Sequence, residues 1–216
     1  MELEASLRSR RSIRAYQAEP VPRGIIHEVL DQARWSPSWA NTQCWNVYVV
    51  TGEALERLKE GQRQAETTGT PSQPDFRMPD RNWPEPLKTN NQSLITAIAA
   101  ARSGDQANSF AGMQDFFSAP CLLLVAVDRT LVPDYACFDV GIFVQSLCLA
   151  AHAKGLGTCI MARAVRHPEL LRKLLPDAAD RAFVIGIALG YPDADAPINR
   201  FERPRAALED MVTWIE

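Results

Sequence analysis

Apolar residues fall into a few distinct patterns along the chain. Ile25, Ile26, Val29, Leu30 and Ala33 recur at helical spacing and predict a helix over 23–34. Leu3 and Leu7 mark a shorter one over 2–9, and Leu55 and Leu58 one running from 52 to about 62. Leu94, Ile95, Ile98 and Ala99 predict a helix over 91–103, and Phe110, Met113 and Phe117 another over about 105–118. Residues 134–154 are apolar on nearly every side, the pattern of a helix buried all round. A last short helix covers 167–175. Four segments read instead as strands, 45–50, 121–127, 157–161 and 182–190; the second and fourth are apolar on both faces, as a central strand is.

The polar stretches are as informative. Ser36-Pro37-Ser38-Trp39-Ala40-Asn41-Thr42-Gln43 is a loop of small hydrogen-bonding residues set between a helix and a strand, a good position for a binding site. Residues 63–90 carry five prolines and predict a long loop, with Phe76, Met78 and Trp83 as lid or packing residues. After Pro192 the chain becomes an arm, 193–216, whose tail regains apolar residues at Leu208, Met211, Trp214 and Ile215. Strands separated by helices at irregular intervals give an α+β class, one domain over 1–216, with 63–115 its variable part.

Composition narrows the classes. A net charge of −3 over 216 residues gives no general attraction to nucleic acid or anionic lipid. Five cysteines without a CxxC, mostly in apolar runs, suit reduced thiols and a cytoplasmic location. The three histidines, His27, His152 and His167, have no metal-ligand spacing and read as structural or exposed, and no metal is expected. There is no glycine-rich dinucleotide fingerprint, Walker loop, HExxH or nucleophile elbow.

One stretch stands out against this acidic background. Arg10-Arg11-Ser12-Ile13-Arg14 places three guanidinium groups and a hydroxyl within five residues. Guanidinium forks suit phosphate, but alone such a stretch is as easily a solvated turn. Arg200, Arg203 and Arg205 supply further cations from the arm.

Taken in order, the chain resembles the nitroreductase family of flavin enzymes. The resemblance lies in Arg10 to Tyr16; in Ala33 with Ser36 to Trp45; in Ala119-Pro120; in Asp139-Val140-Gly141; in Gly155 to Cys159; in Ile187 to Pro192; and in Asn199, Arg203, Arg205 and Trp214. It covers the chain except 63–115. It implies a mixed or antiparallel sheet flanked by helices, 134–154 as the central interface helix of a homodimer, and an arm that reaches the partner. It also implies FMN at the subunit interface, with Arg10, Arg11, Ser12, Arg14, Arg203 and Arg205 near its phosphate and ribityl chain. Pro37, Ser38, Trp39 and Asn41 would come from the other subunit, and Cys159, Ile160 and Met161 would lie by the ring. Gln92 is taken for the family's amide contact to the ring, with Asn91 and Gln114 as alternatives.

The activity implied is ping-pong hydride transfer from NAD(P)H through FMN to an electron-poor acceptor such as a nitroaromatic or quinone. The flavin does the chemistry, and no side chain is assigned as catalytic. The alternatives are a flavin reductase, dehalogenase or ene-type reductase on the same fold, or a non-catalytic FMN carrier or sensor. Two departures are visible: Cys44 stands where the family has proline in Gln-Pro-Trp, and Ile160 and Ala162 stand where some relatives have Pro and Glu.

Overall fold

The computed structural model describes residues 2–77, 82–102 and 112–216. Four strands, β1 (Asn46–Thr51), β2 (Cys121–Asp128), β3 (Gly157–Met161) and β4 (Arg181–Gly190), form one sheet in the order β1-β2-β4-β3. Every ladder is antiparallel, which settles the choice left open by the sequence; the parallel pairing present is the isolated bridge Ser12–Thr158.

The continuous apolar run of β2 is explained by its two covered faces. Cys121, Leu123, Val125 and Val127 turn towards the helices α2 (Arg23–Ala33) and α5 (Pro133–Ala153). Leu122, Leu124 and Ala126 turn the other way, onto Leu55 and Leu58 of α3 (Gly52–Thr67) and Leu171 of α6 (Pro168–Leu174). Between Val125 and Ala126 the register against β4 shifts, passing over Val184. This bulge puts neighbouring Val184 and Ile185 both beside the α5-side cluster.

Several boundaries differ from the sequence reading. α3 runs on to Thr67, and α4 (Glu85–Ala101) begins six residues earlier than the pattern suggests. Pro86 does not prevent this, because it stands in the first turn, where no backbone N–H is needed. The described part of the long loop is therefore 68–77 and 82–84. Phe76 packs against the core rather than serving as a lid, and Met78 lies outside the described residues. Of the helix expected over 105–118, residues 105–111 also lie outside them. Its remainder, Met113–Ser118, is a tight 3-10 turn with Phe116, Phe117 and Ser118 in the left-handed region. The buried Phe116 and Phe117 rings sit in the core against β2, and that packing overrides helical continuity.

α5 has a covered and an uncovered face. Ala136, Val140, Phe143, Val144, Leu147, Cys148 and Ala151 are buried against the sheet and α2. Tyr135 and Phe138 are 58% and 67% exposed, so a single chain covers only part of the helix. Gly155, at a φ of 77°, turns the chain out of the helix into β3.

Asp75 anchors the segment that follows α3. Its carboxylate accepts from Arg172 Nη2 at 2.5 and 2.6 Å, from the Phe183 N–H at 2.9 Å and from Arg129 Nη2 at 3.4 Å. Both Asp75 and Arg172 are largely buried, and removing one member of such a pair costs about 3–5 kcal/mol. The variant Asp75→Ala is expected to lose about 3 kcal/mol of unfolding free energy, read as a lower urea midpoint; a midpoint unchanged from wild type contradicts the anchor.

Candidate functional site

α1 (Leu3–Ser9) ends where the basic stretch begins, and that stretch lies along the free edge of β3. Ile13 N–H donates to the Thr158 carbonyl at 2.9 Å, and Tyr16 bridges to Pro192 beyond β4. Gly157 makes this possible: a Cβ there would meet Ile13 Cγ1 at 2.5 Å.

Asn199, in the arm, fixes the segment from the other side. Its Oδ1 accepts from the Arg14 N–H at 2.8 Å, and its Nδ2 donates to the Ala15 and Asp193 carbonyls at 2.8 and 2.9 Å. Arg11 Nη1 donates to the carbonyls of Asn199 at 2.8 Å and Phe201 at 3.2 Å. Arg203 donates to the carbonyls of Arg10 and Arg8. Arg14 lies over the Phe201 ring, 5.9 Å from its centroid, and donates to the Ser12 carbonyl at 3.3 Å.

The structure thus brings together Arg10, Arg11, Ser12, Arg14, Arg203 and Arg205, as the motif suggested, but divides their work. Arg11 and Arg203 brace the arm through main-chain carbonyls. Arg205 is exposed and donates to its neighbouring Pro204 carbonyl at 2.7 Å. Arg10 Nε is buried with no hydrogen-bond partner. None of these arginines is in an ion pair among the described residues. Burial and then the charges of Arg205, Arg11 and Arg10 lower the pKa of Arg203, the mark of like charges held close.

β3 supplies the next wall. Cys159 and Met161 are buried in the core, and burial pushes the Cys159 thiol up to about 11, partly offset by Arg14 and a hydrogen bond from Ser12. It is a packing thiol, not a nucleophile. Ile160 is 44% exposed, and its N–H has the same outward sense as Thr158, whose carbonyl meets Ile13. Tyr16 closes the end of this wall, its hydroxyl donating to the Ala188 carbonyl at 3.3 Å.

The loop with Pro37, Ser38, Trp39 and Asn41 stands elsewhere. Asp139, buried in the first half of α5, accepts from the Trp39 N–H with both oxygens at 3.1 Å. Ser38 Oγ accepts from the Gln43 N–H at 2.9 Å. These contacts hold Ala40, Asn41 and Gln43 in the left-handed region, and leave Trp39 63% exposed beside Tyr135. The basic segment sits near His152, 13 residues further along α5, roughly 20 Å at 1.5 Å per residue. Gln92 is exposed on α4, 3.5 Å from Thr96 Oγ1, in a surface depression with Trp83, Lys88 and Asn91. Asn199 and Asp139 are the positioning residues to which the sequence attached no role. An asparagine closing a Pro-Ile-Asn turn and an aspartate within an apolar helix were the available signals.

A family model, that of the "Nitroreductase family", matches residues 7–191. The chain belongs to the nitroreductase family. Among relatives, the 4-nitrobenzoate reductase of Pseudomonas putida is 32% identical over 223 residues, covering 99% of this chain and 96% of that protein. The FMN- and NADPH-dependent nitroreductase NfnB from Sphigopyxis sp. strain HMH superposes with a TM-score of 0.92 at 27% identity, over 100% of both chains. NfnB from Mycobacterium smegmatis, in complex with NADPH, gives 0.89 at 27% identity, over 99% of this chain and 97% of that one.

Truncating Asn199 would orphan two carbonyls and one N–H in a part-buried position. Asn199→Ala should lower stability by about 2 kcal/mol and speed proteolytic removal of the 193–216 arm; an arm cut no faster than in wild type would refute the staple.

Proposed function

We propose that this nitroreductase-family chain is an FMN-dependent oxidoreductase, reducing electron-poor acceptors, nitroaromatics first among them, with NAD(P)H. The observation that carries the reading is Arg10: a buried guanidinium nitrogen without a partner, among like charges, with no carboxylate paired to any of them among the described residues. Such a group calls for an anion with several acceptor oxygens, and a phosphate monoester fits. Family membership and the FMN-dependent relatives supply the ligand to which that phosphate belongs.

The residues present fit this cofactor. Arg10 and Arg205 are the cations with unused donors, while Arg11 and Arg203 keep the phosphate end rigid. Ser12 and Arg14 suit the ribityl chain, and Ile160 offers an outward backbone N–H and an apolar side chain to the ring. When bound, FMN supplies the two-electron chemistry. The protein's part is to hold it, to keep charge around it and to leave one face open to donor and acceptor in turn. Cys159 stays protonated and takes no part.

The reading requires a second copy. Within one chain the 36–43 loop and the basic segment are held at opposite parts of α5, so they complete one site only across a dimer. The uncovered Tyr135, Phe138 and Trp39 form the apolar face such a dimer would bury. A groove of 860 Å³ runs past Val21, His27, Val49, Lys59 and Pro120 beside the edge strand β1. It suits the partner's tail, whose Leu208, Met211, Trp214 and Ile215 are all exposed here. Gln92 keeps its place as the amide contact to the ring only if α4 is also brought there by the dimer. Five free thiols accord with a cytoplasmic location.

The experiment is purification and then steady-state kinetics with NADPH or NADH and 4-nitrobenzoate. We expect yellow dimers, flavin released on denaturation, and parallel double-reciprocal lines. Intersecting lines refute the ping-pong order, and bound flavin that stays oxidised on rapid mixing with either nicotinamide makes the protein a carrier. Arg10→Ala is expected to weaken FMN binding about 10- to 100-fold, the loss of one charge-assisted bond, with turnover restored at saturating FMN. Unchanged affinity with lost turnover contradicts an anchoring role.

A further inference from the structure

His152 stands on the last turn of α5, where the basic cluster surrounds it. With Ser9, Arg10, Arg11 and Thr158 it lines a cavity of 160 Å³. Its Nε2 lies 2.7 Å from Ser9 Oγ, and that oxygen lies 2.6 Å from the Ala5 carbonyl. A hydroxyl has one proton, and a carbonyl can only accept. The Ser9 proton therefore goes to Ala5, and Ser9 accepts from the imidazole. This fixes the tautomer: Nε2 carries the ring proton, and Nδ1 is the position at which a second one binds.

The charges that act on the ring are all cationic. Burial first, then Arg10, Arg203 and Arg11, hold its pKa below the usual 6.5. The other charged groups around it are already engaged. On α1 Glu4 is paired with Arg8, and Lys154, at the end of α5, is paired with Glu28 of α2. Cys148, one turn back on α5, is raised by burial and stays a thiol. Arg205 and Arg14 add further positive charge nearby, on the arm and the basic segment. An anion that meets Arg10, Arg11 and Arg203 offsets the three charges that keep the ring neutral.

We infer that His152 is a proton partner of the cofactor phosphate: binding of the phosphate at the arginine cluster is accompanied by proton uptake at His152 Nδ1. This deepens the FMN reading above and rests on it. The step is balanced simply, since neutral imidazole, a proton from solvent and the phosphate dianion give imidazolium beside bound dianion, and no covalent bond to the ligand changes. Linkage fixes the sign. The ring takes its proton more readily in the complex, so affinity for the phosphate is greatest at the acid end and falls as pH rises through the bound-state pKa. The phosphate's own second ionisation, near 6, acts the other way. Above about pH 6.5 the dianion already dominates, and only the histidine is left to titrate.

The test is FMN affinity from flavin fluorescence between about pH 6.5 and 8.5, with riboflavin as the ligand that lacks phosphate. For wild type the FMN dissociation constant should rise about two- to fivefold across this window, the part of a one-unit shift that falls above pH 6.5, and the riboflavin constant should stay level. His152→Gln keeps an N–H for Ser9 and should flatten the FMN profile. Calorimetry of wild type in two buffers of different ionisation enthalpy needs no variant and should register proton uptake with FMN. Zero uptake, or the same slope in His152→Gln or with riboflavin, overturns the inference while FMN binding stands. A protein that binds no FMN at any pH overturns the cofactor reading, and this inference with it.

Discussion

Like charges held together by neutral groups are the constraint around which this chain is arranged. Arg10, Arg11 and Arg203 repel one another, yet none of them is neutralised by a carboxylate among the described residues. Main-chain carbonyls of residues 8, 10, 199 and 201 take the donors instead. A carboxylate would have given a more stable apo site and a worse one for anions, because the ligand would have had to displace it. Carbonyl bracing leaves the net positive charge in place and fixes its position, which is what preorganised recognition of a phosphate needs.

The second constraint is α5, which works as a ruler. Asp139 near one end holds the 36–43 loop, and the basic cluster surrounds the other. Along this 21-residue helix the two attachments stand roughly 20 Å apart. The exposed aromatic strip on its outer side is the surface that the proposed second chain would cover.

Much of this was legible from residue pattern. β2 could be placed from an apolar run on both faces, and α5 from its length and the Lys154-Gly155 stop. The basic stretch could be read as more than a solvated turn only together with the arm, because an isolated Arg-Arg-Ser is equally such a turn. Three things were hidden. Pro86 looked like a loop residue because pattern does not reveal which turn of a helix a proline occupies. Residues 113–118 looked helical, although burial of Phe116 and Phe117 bends the backbone into the left-handed region. The contacts of Asn199 with Arg14 and of His152 with Ser9 join residues more than 140 positions apart, and the local pattern does not say which residues will meet.

That separation has a temporal consequence. Residues 8–16 leave the ribosome long before residues 193–203, which hold Arg11, Arg14 and Ala15. At roughly 5–20 residues per second, the intervening chain takes about 10–40 s to synthesise. Throughout that interval the arginine stretch lacks the arm that braces it.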